Sequence, residues 1–157
     1  GGLRAKKIGK VILYSMNNAD ISAPESIKIF TVKGDFVNSR LLLGFDLGTD
    51  ARIGGAVDTL VTGSELKSVL INGHIDHGFI AAGIAVDDIT NYFGLVNAPG
   101  SEFVNGKVGK VTIKGIVDEM VGDEFGIAAA TSIGKTKVDN SLYTAPSSNG
   151  QFKLMTK

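Results

Sequence analysis

Two aspartates four residues apart around a glycine, Asp46-Leu47-Gly48-Thr49-Asp50, are the residues of this 157-residue chain best suited to chemistry. Ca²⁺ takes several hard oxygens on a flexible loop. Asp87-Asp88 extend that set, and Glu102 follows in the same region. The expected metal residues are therefore Asp46, Asp50, Asp87 and Asp88, with Ca²⁺ as the one cofactor expected. The stretch lacks the further spaced acids and the distal Glu of an EF-hand loop. Aspartate also caps turns and solubilises loops without any metal. A second acidic group, Asp118-Glu119 and Asp123-Glu124 around Met120-Val121-Gly122, reads as a solvated corner.

His74-Ile75-Asp76-His77 contains both histidines. In a strand, residues i and i+3 point to opposite faces, so these rings are expected to sit at a turn without converging on one ion. The chain has no Cys, which excludes disulfides, thiol catalysis and Cys-ligated zinc. Its arginines are Arg4, Arg40 and Arg52. There is no P-loop, and Gly54-Gly55 lacks dinucleotide-fingerprint spacing. No catalytic residue is expected. Net charge is zero at 20% charged residues, which leaves no overall basic excess for nucleic acid or an anionic membrane. Hydrophobic content is 43%, enough for one cored domain at this length, and no stretch is long enough for a transmembrane helix.

The elements that must position these residues are repeated. Five segments share one aliphatic pattern: they begin at Ile8, Ile27, Leu66, Val108 and Ile133. Period-two alternation puts Val11 and Leu13, or Val69 and Ile71, on one face, with Lys10, Lys28, Lys67, Lys110 and Lys114 at polar positions. Short strands with one apolar face cannot form a core alone; stacked copies bury a continuous column. A second apolar strand follows in each of the first four: Ile21-Ser22-Ala23, Leu41-Leu42-Leu43-Gly44, Ile80-Ala81-Ala82-Gly83 and Ile127-Ala128-Ala129-Ala130. The fifth copy is degraded at Thr136 and reads as a terminal coil. Starts 19 residues apart (Ile8, Ile27) give way to spacings of 39 and 42. Residues 45–65 and 84–107 carry that excess, both after the second strand, so they should project from one side and form the functional face. Tyr92 and Phe93 in the second are contact candidates, or pack the loop down.

The expected fold is all-β: a parallel β-solenoid of about five coils, with a right-handed β-helix as the expected form and two loop insertions on one side. Residues 1–139 form the solenoid domain and 140–157 a polar tail or strap; if Phe152 and Leu154 form a strand, it is available to a neighbouring subunit. The pattern starts and stops without obvious caps. An antiparallel β-sandwich, such as a carbohydrate-binding module, is the alternative fold.

The pattern Ile-Gly-Lys-Val at residues 8–11, with Ile-Ala-Ala-Gly at 80–83 before an Asp-rich loop, resembles the parallel β-helix repeats of large bacterial secreted or cell-surface proteins. The resemblance covers most of residues 6–138. It implies an extracellular or cell-surface location and a structural or adhesive role: a segment of a surface protein, or a subunit stacking into a fibre. Implied partners are further copies or neighbouring coils and a glycan or surface protein, with no nucleic acid and no membrane insertion. The alternative function is a polysaccharide lyase or hydrolase. Asp87-Asp88 and His77-Gly78 are similar to the Asp-Asp and His-Gly pairs of polygalacturonases, but in reversed order and without that family's Asn-Thr-Asp and Arg-Ile-Lys elements.

Overall fold

The computed structural model describes residues 2–46, 59–85, 102–117 and 124–156. In these residues every regular element is a strand. The first seven are β1 (Gly2–Arg4), β2 (Lys7–Leu13), β3 (Met16–Asn17), β4 (Asp20–Ala23), β5 (Ser26–Val32), β6 (Phe36–Val37) and β7 (Arg40–Leu43). Next come β8 (Phe45–Asp46), β9 (Thr59–Leu60), β10 (Ser64–Asp76), β11 (Phe79–Ala82), β12 (Ile84–Ala85), β13 (Glu102–Phe103) and β14 (Gly106–Ile116). The chain closes with β15 (Phe125–Ala129), β16 (Ser132–Ile133), β17 (Thr136–Val138), β18 (Ser141–Tyr143), β19 (Ser147–Asn149) and β20 (Phe152–Thr156).

Among the described residues these strands make two main sheets. One is seven-stranded, in the order β1-β4-β7-β11-β15-β20-β19; the other runs β18-β17-β14-β10-β5-β2 with β3, β6 and β16 attached, nine strands in all. The main strands alternate between the two sheets along the chain. Each pairs in parallel with its counterpart one repeat later: β2 with β5, β5 with β10, β10 with β14, β14 with β17. The same holds for β4, β7, β11, β15 and β20 in the other sheet. The fold is therefore all-β with mostly parallel strands, compatible with a β-solenoid. An antiparallel sandwich would require antiparallel neighbours throughout these ladders.

The register follows the repeat residue by residue. Ile8, Ile27, Leu66, Val108 and Ile133, the five repeat starts, form one column. Val11, Phe30, Val69, Val111 and Thr136 form the next, and Leu13, Val32, Ile71, Ile113 and Val138 a third. From Phe30 to Thr136 and from Val32 to Val138 these columns are buried. Thr136 is also fully buried, and its hydroxyl donates to the Gly134 carbonyl at 3.2 Å, which satisfies the polar group at a core position. Ile21, Leu41, Ile80, Ile127 and Leu154 supply the facing column from the seven-stranded sheet, and all belong to one core.

The other face of the seven-stranded sheet is buried too: Ser22, Leu42, Ala81 and Ala128 are each at most 4% exposed. Strands covered on both faces read as continuous apolar runs rather than as alternation, which accounts for Leu41-Leu42-Leu43 and Ile80-Ala81-Ala82. A narrow third strip joins β3, β6 and the end of β10, where Met16, Phe36 and Ile75 are neighbours. The residue one beyond each strip strand's end takes a left-handed conformation: Asn18 at φ 48°, Asn38 at φ 44° and His77 at φ 47°. Asn tolerates that region better than most residues. His77→Val should consequently cost about 1–3 kcal/mol more than His77→Asn in urea unfolding.

At the C-terminal end the ladders close differently from the sequence expectation. Phe152 and Leu154 do form a strand, but β20 pairs in parallel with β15 of the same chain. β18 turns back antiparallel on β17 through Asp139-Asn140, both with positive φ, and β19 turns into β20 through Gly150-Gln151. Two-residue turns of this kind suit residues that accept positive φ. Each main sheet thus has a short antiparallel strand at this end.

Candidate functional site

The two insertions are rooted at matching positions. Leu43 and Ala82 are register partners, and Gly44 and Gly83 follow them with φ of 75° and 71°. Glycine adopts that conformation without a Cβ penalty. At the base of the first insertion β8 pairs antiparallel with β9, Phe45 opposite Leu60 and Asp46 opposite Thr59. At the base of the second, β12 pairs with β13 in the same way, Ile84 opposite Phe103 and Ala85 opposite Glu102.

Where the insertions return, they leave an open cleft of about 420 Å³ lined by Gly63, Ser64, Glu65, Asn105, Lys107 and Thr131. Its backbone is tied together: the Gly63 and Ser64 N–H groups donate to the Asn105 carbonyl at 2.8 and 3.1 Å. The Gly106 N–H donates to Thr131 Oγ1 at 3.2 Å, and the Thr131 N–H to the Gly106 carbonyl at 2.9 Å. Register sets Glu65 beside Lys107 and Ser64 beside Gly106. Ser64 Oγ is buried with no hydrogen-bond partner among the described residues. The exposed Thr131 hydroxyl, the Asn105 amide, the Glu65 carboxylate and the Lys107 ammonium suit hydrogen bonding to a polar ligand of small-molecule size, while the Ser64 hydroxyl lies beneath them. Sequence reasoning reached only the ends of this set, Glu65 and Lys107, as insertion boundaries. Ser64, Asn105 and Thr131 carry no motif.

Of the expected calcium ligands, Asp46 lines a smaller cleft of about 180 Å³ with Ala5, Lys6, Ser22 and Pro24. Asp50, Asp87 and Asp88 lie outside the described residues, as do Tyr92, Phe93, Asp118, Glu119 and Asp123.

The two histidines have separate surroundings. His77 Nδ1 is 2.5 Å from Asp76 Oδ1, and its ring stacks on Phe125 with centroids 5.5 Å apart. His74 Nδ1 is 3.5 Å from Asp35 Oδ1, and the His74 backbone N–H donates to that oxygen at 2.8 Å. The backbone hydrogen bond holds the Asp35 carboxyl below its ordinary value against a partial opposing effect of burial; the His74 ring and Lys114 act in the same lowering direction. A depressed carboxyl adds stability above the unfolded-state value of about 3.9 and loses it as pH falls through the folded-state value. Asp35→Asn is therefore expected to give a small loss of stability at pH 7 that vanishes as pH drops below the carboxylate range. The check is a pair of melting curves against pH. Exposure of this pair keeps the effect small.

Comparison with protein-family models, curated proteins and solved structures gives no match to this chain.

Proposed function

We propose that this chain is a parallel β-solenoid, coiled in the right-handed sense that parallel strand crossovers take, and that it works as a structural or adhesive element at a cell surface. The two insertions and the cleft between their ends make the contacts, with a glycan or a surface protein as ligand. The observation that carries the reading is the register: five repeat starts stand in one column while both long insertions leave from the matching ends of two adjacent strands, β7 and β11. Such a frame gives rigidity along its length and confines variation to one corner, as binding loops on scaffolds do.

The β2 edge supports stacking against a further coil. A Cβ on Gly109 would lie 2.2 Å from the Lys67 carbonyl of the preceding rung, and one on Gly134 would lie 2.9 Å from that of Gly109. Gly9 holds the same repeat position on β2, where a Cβ would meet nothing within 4 Å. Gly9 thus leaves room for a neighbouring parallel strand, which Lys28 and Lys67 at the same repeat position also accept. Sedimentation over a wide concentration range, with electron microscopy of the concentrated sample, tests self-stacking. Concentration-dependent assembly or fibres are expected, and a strict monomer at high concentration contradicts it. A glycan-binding screen with Asn105→Ala and Lys107→Ala tests the cleft; binding that neither variant alters would remove it from the proposal.

A further inference from the structure

The zero net charge conceals a strong segregation. Ten of the thirteen lysines, Lys7, Lys10, Lys28, Lys33, Lys67, Lys107, Lys110, Lys114, Lys135 and Lys137, lie in or beside the main strands of the nine-stranded sheet. All ten are exposed. Alternation explains this: the core columns take the inward positions, and the outward positions recur on every rung. Lys110 and Lys135 precede the register partners Val111 and Thr136, and Lys28 and Lys67 precede the partners Ile29 and Ser68. The backbones that carry these lysines on adjacent rungs therefore stand about 4.8 Å apart. Among the described residues the carboxylates in or beside these strands are Glu25, paired with Lys7 at 3.0 Å, Glu65, paired with Lys67 at 3.8 Å, and Asp35, Asp76 and Asp139 at strand ends.

The same region has a second property. Among the described residues, the large hydrophobic side chains that are exposed are Ile12 at 47%, Tyr14 at 81%, Ile29 at 43% and Leu142 at 63%. Ile12 and Ile29 are outward positions of β2 and β5, in register with Thr31 and Lys10, and Leu142 on β18 faces Lys137. Tyr14 follows β2, with Lys33 Nζ 4.6 Å from its ring centre. All four thus lie on or beside the lysine-bearing sheet.

We propose that this face lies flat on an anionic phospholipid bilayer. Lysine stems cover apolar surface while their ammonium groups reach phosphate and carboxylate headgroups. Ile12, Ile29, Leu142 and Tyr14 supply the apolar component that such adsorption combines with charge, and tyrosine suits the headgroup level. Point-charge lysines with no arginine among them, on a flat sheet, lack the planar forks and aromatic rows typical of nucleic-acid readers. This is adsorption to the surface and requires no insertion of the chain.

The test is co-sedimentation of the whole chain with vesicles of phosphatidylcholine alone or mixed with phosphatidylserine. Binding is expected to the mixed vesicles only and to fall as salt rises. Lys28→Glu with Lys67→Glu should weaken it by more than about tenfold. Tyr14→Ser with Ile12→Ser should weaken it at constant charge, and Lys153→Gln, in the other sheet, should leave it unchanged. Circular dichroism of each variant shows whether it is folded. Equal binding to both vesicle types, or no loss on charge reversal in a folded variant, overturns the proposal. Retention on heparin or single-stranded DNA at salt that releases the vesicles would assign the face to a polymer and overturn it as well.

Discussion

Ile71→Asp should unfold this chain at neutral pH, while Leu70→Asp, one residue earlier, should leave it folded. Ile71 is fully buried in the middle rung, between Val32 and Ile113. A carboxylate there meets only aliphatic neighbours in its column and costs several kcal/mol, a large part of the roughly 5–15 kcal/mol that holds a typical domain together. Leu70 points the other way, half-exposed between Thr31 and Thr112, so its replacement should cost at most about 1 kcal/mol. Thermal melts by circular dichroism compare the two. Equal damage at both positions would mean that the alternation has been assigned to the wrong faces.

Gly83→Ala is the second large effect, expected at more than about 3 kcal/mol. Its φ is positive, and a Cβ there would lie 2.3 Å from the Val104 carbonyl oxygen and 2.8 Å from the Gly106 nitrogen. These are backbone atoms at the base of the second insertion, so neither can swing aside. Gly63→Ala is the control: φ is 82° but nothing lies within 4 Å of the added carbon. That variant should lose only the about 1–2 kcal/mol of conformational cost. Denaturant titrations measure both, and a Gly83→Ala loss no larger than that of Gly63→Ala would show that the corner is loose.

Much of this frame was legible in the residues. The repeat pattern placed Ile8, Ile27, Leu66, Val108 and Ile133 at equivalent points, and the ladders pair them one to the next. Leu41, Ile80 and Ile127 were aligned as the starts of the second apolar strand in successive repeats and are register partners. The C-terminal turns were missed although their signals were present. Asp139, Asn140 and Gly150 are residues that accept positive φ, and they sit in the turns that close the two hairpins. The polar character of residues 140–157 masked them.

The cleft residues were illegible for a different reason. Ser64, Asn105 and Thr131 are brought together by stacking, with a lattice of backbone hydrogen bonds between them. No local spacing encodes that meeting. The lysine face shows the opposite failure: Lys10, Lys28, Lys67, Lys110 and Lys114 were read as solvated strand positions, but net charge averages over the whole chain. Only the register reveals that ten lysines share one sheet.

The in-register stacking of the rungs is the claim on which the rest depends, and paired cysteines test it most directly because the chain has none of its own. Ser68 and Lys110 are outward-facing register partners, so their Cα atoms stand about 4.8 Å apart, inside the range that a disulfide spans. Thr112 is the diagonal neighbour of Ser68, at about 8 Å and outside that range. Oxidation should link Ser68→Cys to Lys110→Cys, giving a faster-migrating monomer band without reductant, and should leave Ser68→Cys with Thr112→Cys unlinked. A linked diagonal pair with an unlinked in-register pair would contradict the stack.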